Sequence, residues 1–134
     1  MISLEIARKL KEAGLVWEPR KGDLVYHDEA EESFNITAGD MEDFVRATRI
    51  DKEYAYSIAI FLPRLDQLLA EIRELGYKWF METDTERYLV RVVEIKKPNN
   101  FHVVFSDSPA NAAAEALLWI YERRAATGCG LSDG

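Results

Sequence analysis

The side chains best suited to chemistry in this sequence are crowded into one acidic stretch. Seven carboxylates and no base lie between Asp28 and Val45, and the net charge of the whole chain is −7, so the remaining residues balance to zero. Carboxylates can transfer protons, bind metal ions or attract a basic protein surface. The candidate partner-binding residues are therefore Asp28, Glu29, Glu31, Glu32, Asp40, Glu42 and Asp43.

Histidine is the other residue type that could ligate a metal or move protons, and the chain has only His27 and His102. These two lie in separate predicted strands, and neighbours on a strand point to opposite faces, so His27 and Asp28 cannot chelate one ion without a bend. The acidic stretch also lacks the spacing of a calcium loop. We predict no metal and no cofactor, and a hydrolase that pairs carboxylates with His27 or His102 stays as an alternative.

Covalent catalysis has little support in the sequence. The lone cysteine, Cys129, is flanked by glycines near the carboxyl end, and no Gly-x-Ser-x-Gly elbow occurs. The seven glycines are scattered and do not form a phosphate-binding loop. We therefore predict no catalytic residue and a non-enzymatic function.

Aromatic residues on predicted strands support a further alternative, which is binding of single-stranded nucleic acid. Sheets can stack unpaired bases on aromatic rings, and basic side chains lie in the same region. Core packing is the competing explanation, and it is also expected for Trp119. A net charge of −7 argues against binding of duplex nucleic acid. The aromatic residues are Trp17, Tyr77, Trp79, Phe80, Tyr88, Phe101 and Phe105, and the basic ones are Arg87, Arg91, Lys96 and Lys97.

Three helices have clear start and stop signals. Ser3 and Gly14 bracket a helix over Leu4–Ala13, Pro63 begins one that Gly76 closes, and Ser108 with Pro109 begins a third that frays after Arg124. Leu68 and Leu117 fall on the apolar faces of the second and third of these helices.

Alternation of apolar and polar residues predicts the strands. In the first half these are Leu15–Trp17, a turn to Leu24–Tyr26, then Phe34–Ile36, a helix from Asp40, and a strand over Tyr54–Phe61. In the second half Tyr77–Thr83, Arg87–Ile95 and Phe101–Phe105 form an antiparallel meander. Apolar side chains on both faces of its middle strand predict an α+β fold of layered α/β/α sandwich type with three main helices.

Three stretches carry a resemblance to a known family. They are Trp17–Asp23 (WEPRKGD), Phe61–Ile72 (FLPRLDQLLAEI) leading to Gly76 and Tyr77, and Ser108–Pro109 followed by Ala112–Ile120 (AAAEALLWI). Together they resemble small bacterial and prophage proteins of the phage ABA-sandwich type. The resemblance implies a layered α/β/α fold and carries no catalytic residues with it.

Size and composition complete the expectations. A chain of 134 residues suits a single domain, here predicted over residues 1–126 with a flexible tail over 127–134. We predict a cytoplasmic protein without membrane contact, because the sequence has one cysteine, no apolar run long enough to span a membrane and no recognisable secretory signal. The predicted function is a protein-interaction or prophage accessory factor whose acidic stretch binds a protein with a basic surface. An open sheet edge leaves a homo-oligomer as a further option.

Overall fold

The computed structural model describes residues 2–15, 20, 22–29, 31–35 and 52–129. In these residues four helices and six strands follow one another, and they belong to two compact units. One unit is discontinuous and combines Met1–Gly14 with Arg64–Gly134, while the other is Leu15–Pro63. The elements are α1 (Leu4–Ala13), β1 (Leu24–His27), β2 (Glu32–Asn35), α2 (Lys52–Ile58), β3 (Ala59–Leu62), α3 (Leu65–Glu74), β4 (Tyr77–Thr83), β5 (Tyr88–Glu94), β6 (Phe101–Ser106) and α4 (Pro109–Cys129).

The first helix has the predicted bounds because both of its ends are capped. Ser3 Oγ accepts a hydrogen bond from the backbone N–H of Ile6 at 3.3 Å. At the other end Gly14 adopts a φ of +107°, a left-handed conformation that glycine reaches without steric cost.

Helix α3 begins two residues later than predicted. Arg64, in extended conformation, is the N-cap, and its backbone N–H donates to Gln67 Oε1 at 2.9 Å. Pro63 therefore precedes the cap and is not the first helical residue. The predicted end is confirmed, because Gly76 follows the helix with a φ of +90°.

The last helix starts where predicted and continues further. Ser108 Oγ accepts from the backbone N–H of Asn111 at 3.3 Å, which caps a helix that begins at Pro109. The helix runs to Cys129, past the predicted fraying point at Arg124 and the predicted domain boundary at 126. Residues 130–134 of the predicted tail lie outside the described residues.

The C-terminal meander and the α+β class are confirmed. Strands β4, β5 and β6 pair antiparallel in that order, with Trp79 opposite Val92 and Val90 opposite Val104. Helix α3 packs on β4, helix α4 packs on β5 and β6, and α1 packs on α4. The largest fully buried side chains in this unit are Leu10, Leu68, Ile72, Val90, Val92, Leu117 and Ile120.

The second sheet, in the unit Leu15–Pro63, has β1 between β2 and β3 in antiparallel pairing. A tight turn precedes β1: the Asp23 N–H donates to the Arg20 carbonyl at 3.0 Å, and Gly22 has a φ of +93°. The predicted strand at Leu15–Trp17 and the predicted helix from Asp40 fall largely or wholly outside the described residues.

The prediction of one strand over Tyr54–Phe61 is wrong in its first half. Lys52–Ile58 is helical, and only Ala59–Leu62 forms a strand. The reason is nonlocal, because the partner β1 has four residues and pairs from Leu24 opposite Leu62 to His27 opposite Ala59. The register ends at Ala59, apart from a hydrogen bond from the Asp28 N–H to the Ile58 carbonyl at 3.3 Å, and the chain before Ala59 satisfies its backbone groups within a helix instead.

Candidate functional site

The register of the C-terminal sheet divides its side chains into two faces, because residues directly opposite in an antiparallel pair share a face. One face meets the helices. There the ring of His102 stacks on Trp119 of α4, with centroids 4.7 Å apart and planes 6° apart. Tyr77 meets the same tryptophan edge-on at 6.3 Å. Trp119 thus packs against the sheet but is only half-buried, so the core position predicted for it is confirmed only in part.

The other face, called the open face below, consists of three cross-strand rows with one residue from each strand. Each row carries one phenylalanine at an edge strand, and successive rows are about 6.7 Å apart, the span of two strand residues. The rows are Lys78–Val93–Phe101, Phe80–Arg91–Val103 and Glu82–Leu89–Phe105.

The phenylalanines of the open face are accessible to solvent. Their exposed fractions are 39% for Phe80, 54% for Phe101 and 49% for Phe105. Fully burying an exposed side chain of this size is worth roughly 1.5–3 kcal/mol, and covering the exposed half of each of these rings would contribute a part of that to association. Exposed apolar side chains that cluster on one surface are typical of a binding surface.

Two arginines lie over these rings. The guanidinium carbon of Arg91 is 4.6 Å from the ring centroid of Phe80, and that of Arg87 is 4.6 Å from Phe105. Cation–π pairs of this kind contribute about 0.5–1 kcal/mol at exposed sites. Each pair places a positive charge beside an aromatic ring, so the open face offers a partner electrostatic and apolar contacts at the same points.

The turn between β4 and β5 positions Arg87. Asp84 Oδ1 accepts from the backbone N–H groups of Glu86 at 3.0 Å and Arg87 at 2.9 Å, and these bonds lower the pKa of the Asp84 carboxyl. The Arg87 guanidinium also lies 3.4 Å from Asp84 Oδ2. This exposed ion pair contributes little to stability, but it restrains the arginine near Phe105.

The structure describes four of the seven acidic candidates. Asp28, Glu29, Glu31 and Glu32 are all exposed around the connection from β1 to β2. Glu29 accepts a hydrogen bond from the Tyr54 hydroxyl, and this bond raises the pKa of Tyr54. The remaining three, Asp40, Glu42 and Asp43, lie outside the described residues.

The two histidines have different surroundings. His27 is buried in β1, and its Nδ1 accepts a hydrogen bond from the backbone N–H of Glu29 at 3.2 Å. His102 stacks on Trp119 as described above. Within the described part of the chain, no three His, Cys, Asp or Glu side chains converge as metal ligands would.

The aromatic residues of these strands have two different roles in the structure. Tyr77 and Trp79 share the face that carries His102, while Phe80, Phe101 and Phe105 share the open face. Trp17 lies outside the described residues. Alternate residues of a strand point to opposite sides, so the sequence separates the two sets within each strand. The register then matches the sides of neighbouring strands, and the packing of the helices decides which face is covered.

Comparison of the chain with protein-family models, with curated proteins and with solved structures finds no match. Across the described residues, none of the helices combines the length and the hydropathy that crossing a bilayer requires.

Proposed function

We propose that this chain is a non-enzymatic protein-interaction factor of the cytoplasm that binds another protein on its open face. The observation that carries this proposal is the exposure of Phe80, Phe101 and Phe105 on one sheet face beside two arginines. Aromatic residues and arginine are enriched where protein interfaces gain most of their free energy. The resemblance to phage ABA-sandwich proteins extends the proposal to a prophage accessory role.

The charges of the open face define the chemistry of the partner. The face has three cations, because Lys78 and Arg91 lie within its rows and Arg87 lies at its border. Its rows contain one carboxylate, Glu82. A partner surface with apolar side chains bordered by carboxylates would complement this arrangement. The net charge of −7 disfavours polyanionic partners by comparison, because the field of the whole chain repels them.

Single-stranded nucleic acid is the second candidate, and the exposed rings favour it. Phe101 and Phe105 lie on β6 and Phe80 lies on β4, so the two edge strands both offer rings on which bases can stack. Arg87 and Arg91 could then contact phosphates. The same substitutions test both candidates, because both use the same rings.

The test compares the wild-type chain with a Phe101→Ser/Phe105→Ser variant, using each as bait in a pull-down with quantitative identification of the recovered proteins. We expect at least one protein to be recovered by the wild type and lost at least about tenfold in the variant, and to bind the purified wild-type chain directly. Tyr54→Ser is the matched control, since Tyr54 is an aromatic side chain with an exposed fraction of 42% in the other unit.

Equal recovery by all three baits would contradict protein binding at the open face. In parallel, fluorescence anisotropy with labelled oligodeoxythymidine at low salt decides the second candidate. Binding that the double variant loses and Tyr54→Ser retains would assign the face to single-stranded nucleic acid instead.

The acidic stretch adds a second proposed contact, with a basic surface on the partner. Its support is the exposure of Asp28, Glu29, Glu31 and Glu32. Such contacts accelerate association and weaken as salt rises. The same pull-down is repeated at low and high salt with a bait in which Glu29, Glu31 and Glu32 are changed to Gln and Asp43 is changed to Asn. This bait should fail to recover the partner protein that the wild type recovers at low salt and loses at high salt. Unchanged recovery at low salt would remove this contact from the proposal.

A further inference from the structure

A small basic cleft lies at the end of the C-terminal sheet, where the connection from β5 to β6 meets the last turns of α4. Its volume is about 260 Å³. The lining side chains supply three cations, two amides and one phenol hydroxyl, and they are Lys97, Arg123, Arg124, Asn99, Asn100 and Tyr77.

Hydrogen bonds hold the loop side of the cleft in place. The backbone N–H of Asn100 donates to the Lys97 carbonyl at 2.8 Å, which closes a turn over residues 97–100. The Asn100 side-chain amide donates to the Tyr77 hydroxyl at 2.9 Å and to Glu94 Oε1 at 2.8 Å. Asn100 thus ties the loop to both β4 and β5, and Lys97 and Asn99 are presented from a restrained turn.

The helix side of the cleft contributes two guanidinium groups. That of Arg123 lies over the Trp119 ring, 5.9 Å from its centroid. Burial raises the pKa of Tyr77 and Glu94 raises it further, while the Asn100 hydrogen bond, Arg123 and Arg124 act in the opposite direction. Both guanidiniums are therefore within electrostatic reach of the hydroxyl that lines the cleft.

From this geometry we infer that the cleft binds a phosphate-class anion, either free phosphate or the phosphate group of a monoester. The three cations outnumber the one neighbouring carboxylate, Glu94, and a phosphate carries about −1.5 to −2 charges and three acceptor oxygens at neutral pH, which matches the remaining positive charge. Guanidinium groups donate paired hydrogen bonds that match these oxygens. The Asn99 amide and the Tyr77 hydroxyl supply neutral donors, and the volume suits a small ligand. This site is separate from the open face and does not depend on the proposed function.

The experiment titrates the full chain with inorganic phosphate by calorimetry, at constant ionic strength maintained with chloride. We expect saturable binding that weakens about tenfold in Lys97→Gln and in Arg124→Gln, the loss typical of one charged hydrogen bond. Lys96→Gln is the matched control, because Lys96 is the exposed neighbour of Lys97 and does not line the cleft. A parallel titration with phosphoserine distinguishes the two sources, since tighter binding than inorganic phosphate identifies a monoester.

Two results of these titrations would overturn the inference. One is the absence of saturable binding by either probe, and the other is equal weakening in Lys96→Gln and Lys97→Gln, which would indicate diffuse attraction. Phosphate-dependent shifts of the Asn99 and Asn100 side-chain amide signals in the NMR spectrum of the wild-type chain give a second readout that needs no variant. Unshifted amide signals at saturating phosphate would also count against the cleft.

Discussion

A hydrogen bond between two side chains joins helices α3 and α4. The Tyr121 hydroxyl donates to Glu71 Oε2 at 2.8 Å. Burial raises the pKa of Tyr121, and the neighbouring Glu71 carboxylate raises it further because a tyrosinate would be repelled. The neutral phenol is therefore favoured in the folded state.

This raised pKa predicts a loss of stability in alkali. Because the folded pKa lies above the unfolded value of about 10, the contribution of Tyr121 is complete below pH ~10 and declines as the pH rises further. Urea unfolding at pH ~8 and pH ~11 should show a larger fall in unfolding free energy for the wild type than for Tyr121→Phe. At pH ~8 the variant should lose about 1 kcal/mol. Equal falls in the two proteins would contradict this role.

At the scale of elements, the small side chains of helix α4 allow it to pack close to the sheet and to the other helices. The side chains of Ala112, Ala113, Ala114 and Ala116 are fully buried, and Leu117 and Ile120 follow on the same helix. Small side chains allow the helix axis to approach its neighbours, while the two larger ones fill the space further along. Helix α4 accordingly packs on α1, α3, β5 and β6.

Truncating the larger core residues should therefore be costly. We expect Leu117→Ala in α4 and Leu68→Ala in α3 each to lower the free energy of unfolding by about 2–5 kcal/mol, because each leaves a cavity at a site that is 0–1% exposed. Glu115→Ala, on the exposed side of α4, should change it by less than about 0.5 kcal/mol. Denaturant titrations measure all three, and unchanged midpoints for both leucine variants would mean that these positions do not form the core.

At the scale of the whole molecule, one compact unit is assembled from both ends of the described chain. The backbone N–H of Ser3 donates to Asn111 Oδ1 at 2.7 Å, across 108 positions of sequence. Leu10 of α1 is fully buried, and α1 packs on α4. The unit Leu15–Pro63 is therefore inserted between two segments that fold together.

This connectivity predicts a long-range effect of substitutions in α1. Leu10→Ala should lower the unfolding free energy by about 2–5 kcal/mol and accelerate amide hydrogen exchange in α4, although the two helices are remote in sequence. Lys9→Ala, at an exposed position of the same helix, is the control. Unchanged protection of residues 109–124 in Leu10→Ala would show that α1 does not stabilise this unit.

Local patterns in the sequence were sufficient to predict those features that depend only on a few adjacent residues. Ser3, Gly14, Gly76 and Ser108 mark helix ends because capping bonds and left-handed conformations involve only a few adjacent residues. The meander of β4, β5 and β6 was predictable for a similar reason, since short turns connect strands of clear alternation. The α+β class follows from these elements alone.

Tertiary structure alone decided which strands pair and which faces stay exposed. The length of β1 limits β3 to four residues and leaves Lys52–Ile58 helical. Alternation in β5 puts apolar side chains on both faces, but the packing of α4 buries Val90 and Val92 and leaves the rings on the opposite face exposed. Both outcomes depend on contacts between residues distant in sequence. A pattern of period two distinguishes the two sides of a strand without specifying which side is covered.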